Sequence, residues 1–213
     1  IGEIGLQVHK EQQRLYPQGS ITSHIVGITD IDEVALSGIE SGMSKRLENN
    51  EDIFLSLDLR LQNLVTEELN SAIEKFSASG GVSIILNINN GQLLASSSLP
   101  NFDPNNVNLS PRENFFNSAT HGVFEMGSTF KPITMAIGLD SNKISLDDLF
   151  EVNKPIKIGK FTINDHQPLN GPLDIKGIIV NSSNRGAAQV AELIGDKVLK
   201  KYFKEFGLLE RLS

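Results

Sequence analysis

The chain has 213 residues, 39% of them apolar and 21% charged, and 19 Lys+Arg against 26 Asp+Glu leave a net charge of −7, the composition of an ordinary globular protein. No run of basic residues is longer than two, which argues against a nucleic-acid surface built on counterion release. The absence of cysteine excludes disulfides, thiolate metal sites and a cysteine nucleophile, and apolar stretches such as residues 82–88 are too short to span a bilayer.

Residues 1–50 are rich in Gly and polar residues and contain turn signals such as Pro17-Gln18-Gly19, so extended segments and loops are expected there. Asp58 is placed to cap a helix whose apolar positions Leu61, Leu64, Val65, Leu69, Ala72, Ile73 and Phe76 follow helical spacing. Ser79-Gly80-Gly81 ends it. Residues 82–88 and 93–97 then read as two strands joined through Asn90-Gly91, a pair suited to a type I′ hairpin turn. A helix followed by an antiparallel hairpin points to an α+β fold.

Residues 100–111 form an Asn- and Pro-rich loop. A helix is expected to start near Ser128, because Pro132 fits only in a first turn. Residues 140–177 read as irregular, with short strands at 156–158 and 161–163. A further helix starts near Ser182 or Ser183, with Ala187, Val190, Ala191 and Ile194 on its apolar face. Gly195 stops it, and Asp196 can cap a last helix carrying Val198, Leu199, Tyr202, Phe203 and Phe206. The chain begins at Ile1 and stops at Ser213 without a signal-like or tail pattern, and its ends are read as those of an excised fragment.

Two reactive patterns occur, Ser128-Thr129-Phe130-Lys131 and Ser182-Ser183-Asn184. With 21 serines and 13 lysines in the chain, about one Ser-x-x-Lys is expected by chance, so the pattern alone carries little. Physically, residues i and i+3 share a helix face, and a desolvated lysine near a serine hydroxyl can serve as its base. A Ser-x-Asn from another segment would supply a proton relay and an orienting amide. Taken without context, Ser128, Ser182 and Ser183 are equally good helix caps and Lys131 an ordinary solvated lysine.

Phe124-Glu125-Met126-Gly127-Ser128-Thr129-Phe130-Lys131-Pro132 resembles the active-site serine motif of class B penicillin-binding proteins, the peptidoglycan transpeptidases, and Asn181-Ser182-Ser183-Asn184 resembles their second motif. The 54-residue separation of Ser128 and Ser182 is similar to the family's. Arg14-Leu15-Tyr16-Pro17-Gln18-Gly19, His24-Ile25-Val26-Gly27 and Gly38-Ile39-Glu40 resemble its non-catalytic pedestal. Residues 55–62 resemble the entry to the transpeptidase domain, and residues 91–95 and 100–105 its first hairpin and following loop. Many class B enzymes have Pro where this chain has Met126, and the Glu-Met-Gly-Ser form is most similar to the division-specific, FtsI-type branch.

The resemblance implies a penicillin-recognising serine transpeptidase fold, incomplete here, preceded by part of a β-rich pedestal: residues 1–51 in the pedestal and 52–213 in the transpeptidase domain. It implies that Ser128 is the nucleophile, Lys131 the general base, Ser182 the relay and Asn184 the residue that positions substrate and Lys131. The implied partners are peptidoglycan stem peptides, β-lactam antibiotics and septal cell-wall proteins. The implied location is the bacterial inner membrane, with the catalytic domain in the periplasm and the anchor outside this chain. No cofactor is implied. No Lys-Thr-Gly or Lys-Ser-Gly, the family's third motif, occurs in the sequence. Because that motif supplies an oxyanion donor, whose loss costs about 100- to 1,000-fold in rate, the fragment itself is expected to be inactive.

Two other readings share the motifs or the fold: a β-lactam-hydrolysing or β-lactam-sensing serine protein, and a non-catalytic interaction module. The histidines His9, His24, His121 and His166 are dispersed and lack metal-ligand spacing. The pairs Glu67-Glu68 and Asp147-Asp148 are expected to face solvent.

Overall fold

The computed structural model describes residues 13–211; His9 and the first twelve residues of the expected pedestal lie outside the described residues. Two compact units meet in sequence at Val123 and Phe124, and each is described by itself.

In the first unit, a 3-10 turn at Gly19–Thr22 runs into α1 (Ser23–Val26), followed by α2 (Gly38–Gly42) and α3 (Ser44–Glu48). The segment expected to be extended therefore holds short helical turns, with an isolated bridge between Thr29 and Ala35. Its order comes from contacts distant in sequence rather than from local periodicity. The Asn105 side chain accepts from Tyr16 N and donates to Tyr16 O, each at 2.9 Å. Tyr16 packs with Ile28 and Phe102 in a small core, and Arg14 donates to the buried Glu40 carboxylate at 2.7 Å.

The predicted helix is α4 (Leu59–Phe76), and Asp58 caps it by accepting from Arg60 N and Leu61 N. It packs on a hairpin of β1 (Gly81–Leu86) and β2 (Leu93–Leu99), paired antiparallel from Gly81↔Leu99 to Leu86↔Leu93. The buried positions of α4 are Gln62 and Thr66, while Leu64 and Phe76 are exposed. Gln62 is fully buried because its amide donates to Ile21 O and Ser96 O and accepts from Ser96 N, so its polar atoms are satisfied without water. Thr66 Oγ1 adds bonds to Gln62 O and Ser97 Oγ. The reversal between the strands is not a type I′ turn. Asn87 O accepts from both Asn90 N and Gly91 N, the Asn87 side chain accepts from Asn89 N, and of the Asn90-Gly91 pair only Gly91, at φ +73°, is left-handed. The local Asn87 bonds favour this longer loop. The unit ends in α5 (Ser118–His121).

In the second unit, a 3-10 turn at Gly127–Phe130 continues into α6 (Lys131–Asp140), with Pro132 in the first turn. Short strands follow: β3 (Phe150–Glu151), β4 (Ile156–Ile158), β5 (Phe161–Ile163) and β6 (Pro172–Leu173), paired β3 with β6 and β4 with β5. Then come α7 (Ile175–Val180), α8 (Asn184–Ile194) and α9 (Asp196–Glu205). The sequence pattern did not indicate α7, a six-residue helix capped by Asp174 and too short to show periodicity. Gly195 rather than Asp196 is the cap residue of α9, with Asp196 in its first turn. Met135, Ile137, Ile144, Phe150, Ile175, Ile178, Val190 and Ile194 form the core, and Val198, Leu199, Tyr202 and Phe203 of α9 pack against it. Each such fully buried side chain contributes about 1.5–3 kcal/mol of hydrophobic stabilisation. Phe206 lies just beyond α9 and is exposed. Among the described residues no helix is long and apolar enough to cross a membrane.

Candidate active site

The second unit brings Ser128, Lys131, Ser182 and Asn184 together. Ser128 sits in the exposed 3-10 turn ahead of α6. Lys131 begins α6 one turn on. The other two residues lie at the junction of α7 and α8. Ser182 N donates to Ile179 O and Ser183 N to Ile178 O, the paired bonds of a Schellman helix end. Such an end places one residue in the left-handed region, and here it is Ser182, at φ +51°. Ser183 is fully buried and caps α8 by accepting from Gly186 N at 3.0 Å. Gly186 leaves room for this junction: a Cβ there would come within 2.5 Å of Ile178 Cγ1.

Lys131 Nζ donates to Ser182 O at 2.5 Å, to Ser182 Oγ at 3.0 Å and to Asn184 Oδ1 at 2.7 Å. An ammonium has three donors, and all three are used. Ser182 Oγ in turn donates to Ser128 Oγ at 3.0 Å. Lys131 is thus linked to Ser128 through the Ser182 hydroxyl rather than by a direct bond, which corrects the simple expectation from i, i+3 spacing. The left-handed Ser182 places its carbonyl and hydroxyl on the same ammonium. Asn184 Nδ2 donates to Asn164 O at 2.9 Å, which turns its Oδ1 toward Lys131. Burial pushes the Lys131 ammonium below the ordinary lysine range, while the Asp165 carboxylate acts in the opposite direction. Lowering a lysine pKa makes the neutral amine more accessible as a base.

Sequence reasoning did not single out Asn164, Asp165 or Arg185. The Asp165 side chain is 3% exposed and accepts from Ser183 Oγ, from Asn184 N at 2.5 Å and from Arg185 N at 3.0 Å. Arg185 Nε lies 3.9 Å from it, and the guanidinium also donates to Val152 O and Asn164 Oδ1. The contact joins residues 18 to 20 positions apart, so no local spacing signals it.

Among the described residues the remaining titratable groups form no comparable set. The first unit holds a cavity of about 400 Å³ lined in part by His24, Phe102, Phe115 and His121. There His24 Nε2 meets the Asn114 carbonyl oxygen, and His121 Nδ1 meets the hydroxyl of its exposed sequence neighbour Thr120, each at 2.8 Å. His166 is exposed. Glu67, Glu68, Asp147 and Asp148 are exposed as expected, and Asp148 is engaged by Ser145. Among the described residues no three His, Cys, Asp or Glu side chains cluster as metal ligands.

Residues 81–212 match the family described as the penicillin binding protein transpeptidase domain. A Caulobacter vibrioides protein named probable peptidoglycan D,D-transpeptidase FtsI is 32% identical over 213 residues, covering 98% of this chain and 36% of that protein. Peptidoglycan D,D-transpeptidase FtsI of Escherichia coli K12 is 29% identical over 230 residues, covering 96% of this chain and 39% of that protein. The chain therefore spans well under half the length of these curated relatives. Among solved structures, penicillin binding protein 3 of Mycobacterium tuberculosis superposes with a TM-score of 0.80 at 23% identity, over 92% of this chain and 47% of that one, a likeness of fold.

Proposed function

Because the chain belongs to the penicillin binding protein transpeptidase family, we propose that the protein is a serine D,D-transpeptidase that cross-links peptidoglycan through an acyl-enzyme on Ser128. The observation that carries the reading is the continuous path from Lys131 Nζ through Ser182 Oγ to Ser128 Oγ, each step 3.0 Å.

In the neutral state Lys131 has one lone pair and two N–H bonds. The two donors suit Ser182 O and Asn184 Oδ1, leaving the lone pair for the Ser182 hydroxyl. Ser128 Oγ attacks the carbonyl carbon of the D-Ala-D-Ala bond of a stem peptide, and its proton passes through Ser182 to Lys131. The C–N bond then breaks, the same path returns the proton to the departing D-Ala amine, and the stem remains esterified to Ser128. An amine of a neighbouring stem attacks this ester, gives up one proton to Lys131, and forms the cross-link as Ser128 recovers its hydrogen. β-Lactams enter the same sequence at Ser128, and their opened ring remains as the ester.

The relatives' FtsI names and the Glu125-Met126-Gly127-Ser128 form support a role in septal wall synthesis during division, with divisome partners. They also support an inner-membrane location with this domain in the periplasm, and an origin for residues 1–51 in the non-catalytic pedestal. The sequence holds no Lys-Thr-Gly. We infer that the 213 residues alone acylate slowly for want of an oxyanion donor.

The test is a donor stem peptide ending in D-Ala-D-Ala, an amine acceptor, and a form of the protein extended through a Lys-Thr-Gly strand. Release of D-Ala with formation of the cross-linked amide is expected. Hydrolysis of the donor without amide formation would overturn transpeptidation in favour of a hydrolase.

A further inference from the structure

Asp165 is a buried carboxylate bound to the α8 side of the α7–α8 junction, at Ser183, Asn184 and Arg185. It accepts from the Ser183 hydroxyl and from two successive N–H groups at the start of α8. A negative charge is favoured there because the helix end is electropositive. Charge-assisted bonds of this kind are shorter and stronger than neutral ones. Its exposed neighbour Asn164 holds the other half of Asn184 through its carbonyl oxygen. Residues 164 and 165 together therefore fix both the backbone and the side-chain rotation of Asn184. Ser182, one residue before Ser183, is held left-handed by the same junction.

We propose that Asp165 is a positioning residue of the acylation site: its carboxylate locks the Ser182–Asn184 junction in the one arrangement that presents a carbonyl, a hydroxyl and an amide oxygen to Lys131. The inference rests on the transpeptidase reading for its kinetic consequence and on the geometry for the rest. Arg185 Nε lies 3.9 Å from the carboxylate without a hydrogen bond to it, so the guanidinium offsets the buried charge through space. The side chains touching Lys131 Nζ from the junction and from α8, Ser182 and Asn184, are uncharged, and Asp165 is the carboxylate whose charge reaches it.

Two variants separate the positioning role from a merely structural one. Asp165→Ala removes the acceptors and is expected to slow penicillin acylation about 10- to 100-fold while changing the reversible affinity for the drug less than about threefold. Asp165→Asn keeps the shape and removes the charge. In the 213-residue chain carrying lysine labelled at the ε-carbon, with the Lys131 signal assigned by its loss in Lys131→Arg, Lys131 in Asp165→Asn is expected to titrate at lower pH than in wild type. Exchange of the Asn184 and Arg185 amide hydrogens is expected to quicken. A Lys131 titration and amide exchange identical to wild type in Asp165→Asn would overturn the proposal, and this holds even if Asp165→Ala fails to fold. Should wild type carrying the third motif take no penicillin label, the transpeptidase reading fails, and the Lys131 titration still decides the role of Asp165.

Discussion

Lys131 and Ser182 meet twice: one ammonium donates to both the carbonyl oxygen and the hydroxyl of the same residue, at 2.5 and 3.0 Å. This double contact is possible because Ser182 is left-handed at the end of α7. The lysine is thus held by the backbone at the one point where the chain departs from the regular helices on either side.

The pH dependence of acylation follows from Lys131. Its pKa lies below the ordinary lysine value because burial disfavours the charged form; with the neutral amine as the base of the proposed mechanism, the rate is expected to rise with pH until the folded Lys131 pKa is passed and then to level. Lys131→Arg, which cannot deprotonate, is expected to lose about 100- to 10,000-fold in acylation rate. Stopped-flow acylation by a fluorescent penicillin across pH checks both. A flat profile, or an active arginine variant, would remove Lys131 as base.

Ser182 trades stability for its hydroxyl. Glycine takes positive φ freely and alanine does not, so Ser182→Gly is expected to exceed Ser182→Ala in stability by about 1 kcal/mol, while both lose acylation because the path to Ser128 is cut. Thermal melts and penicillin labelling of the pair test this. Equal stability of the two would show that the left-handed conformation carries no strain.

Gln62 ties α4 to β2 and to the turn before α1 through three hydrogen bonds. Gln62→Leu leaves Ser96 N, Ser96 O and Ile21 O facing an apolar side chain, and a destabilisation of about 2 kcal/mol or more is expected by urea denaturation. A neutral result would mean that those backbone groups find other partners.

His24 makes the fold sensitive to acid. Its pKa is lowered chiefly by burial, against the raising effect of its bonds to the Asn114 and Ser98 backbone. The unfolded chain, with its histidine near pH 6.5, therefore binds the proton more readily than the folded one. Stability is complete above about pH 6.5 and falls as the pH drops from there toward the lower folded value. Denaturation of wild type and His24→Asn at several pH values isolates the effect. Parallel curves would contradict it.

Much of this was legible in the residues. Asp58 and Ser183 cap helices where side-chain chemistry places them, and the four motif residues lie together, an arrangement that the resemblance to the transpeptidase motifs implies and their spacing alone does not. What stayed hidden depends on contacts distant in sequence. Leucine spacing on α4 implied a buried apolar stripe, yet Gln62 is buried and Leu64 exposed, because the amide finds backbone partners on β2 and on the turn before α1. Asp165 falls in a stretch that reads as irregular, and its contacts lie on α8 and its cap, 18 to 20 residues further on. The direct Lys131–Ser128 contact expected from helical spacing gave way to a relay, since Ser182 occupies the gap between them.

Acylation at Ser128 is tested most directly by intact mass after incubation with a penicillin, on the 213-residue chain and on a form extended through a Lys-Thr-Gly strand. The extended form is expected to gain the mass of one drug molecule, mapped to Ser128 and abolished by Ser128→Ala, while the short chain labels far more slowly. A folded extended form that gains no mass, or gains it equally after Ser128→Ala, would contradict a serine transpeptidase acting through Ser128.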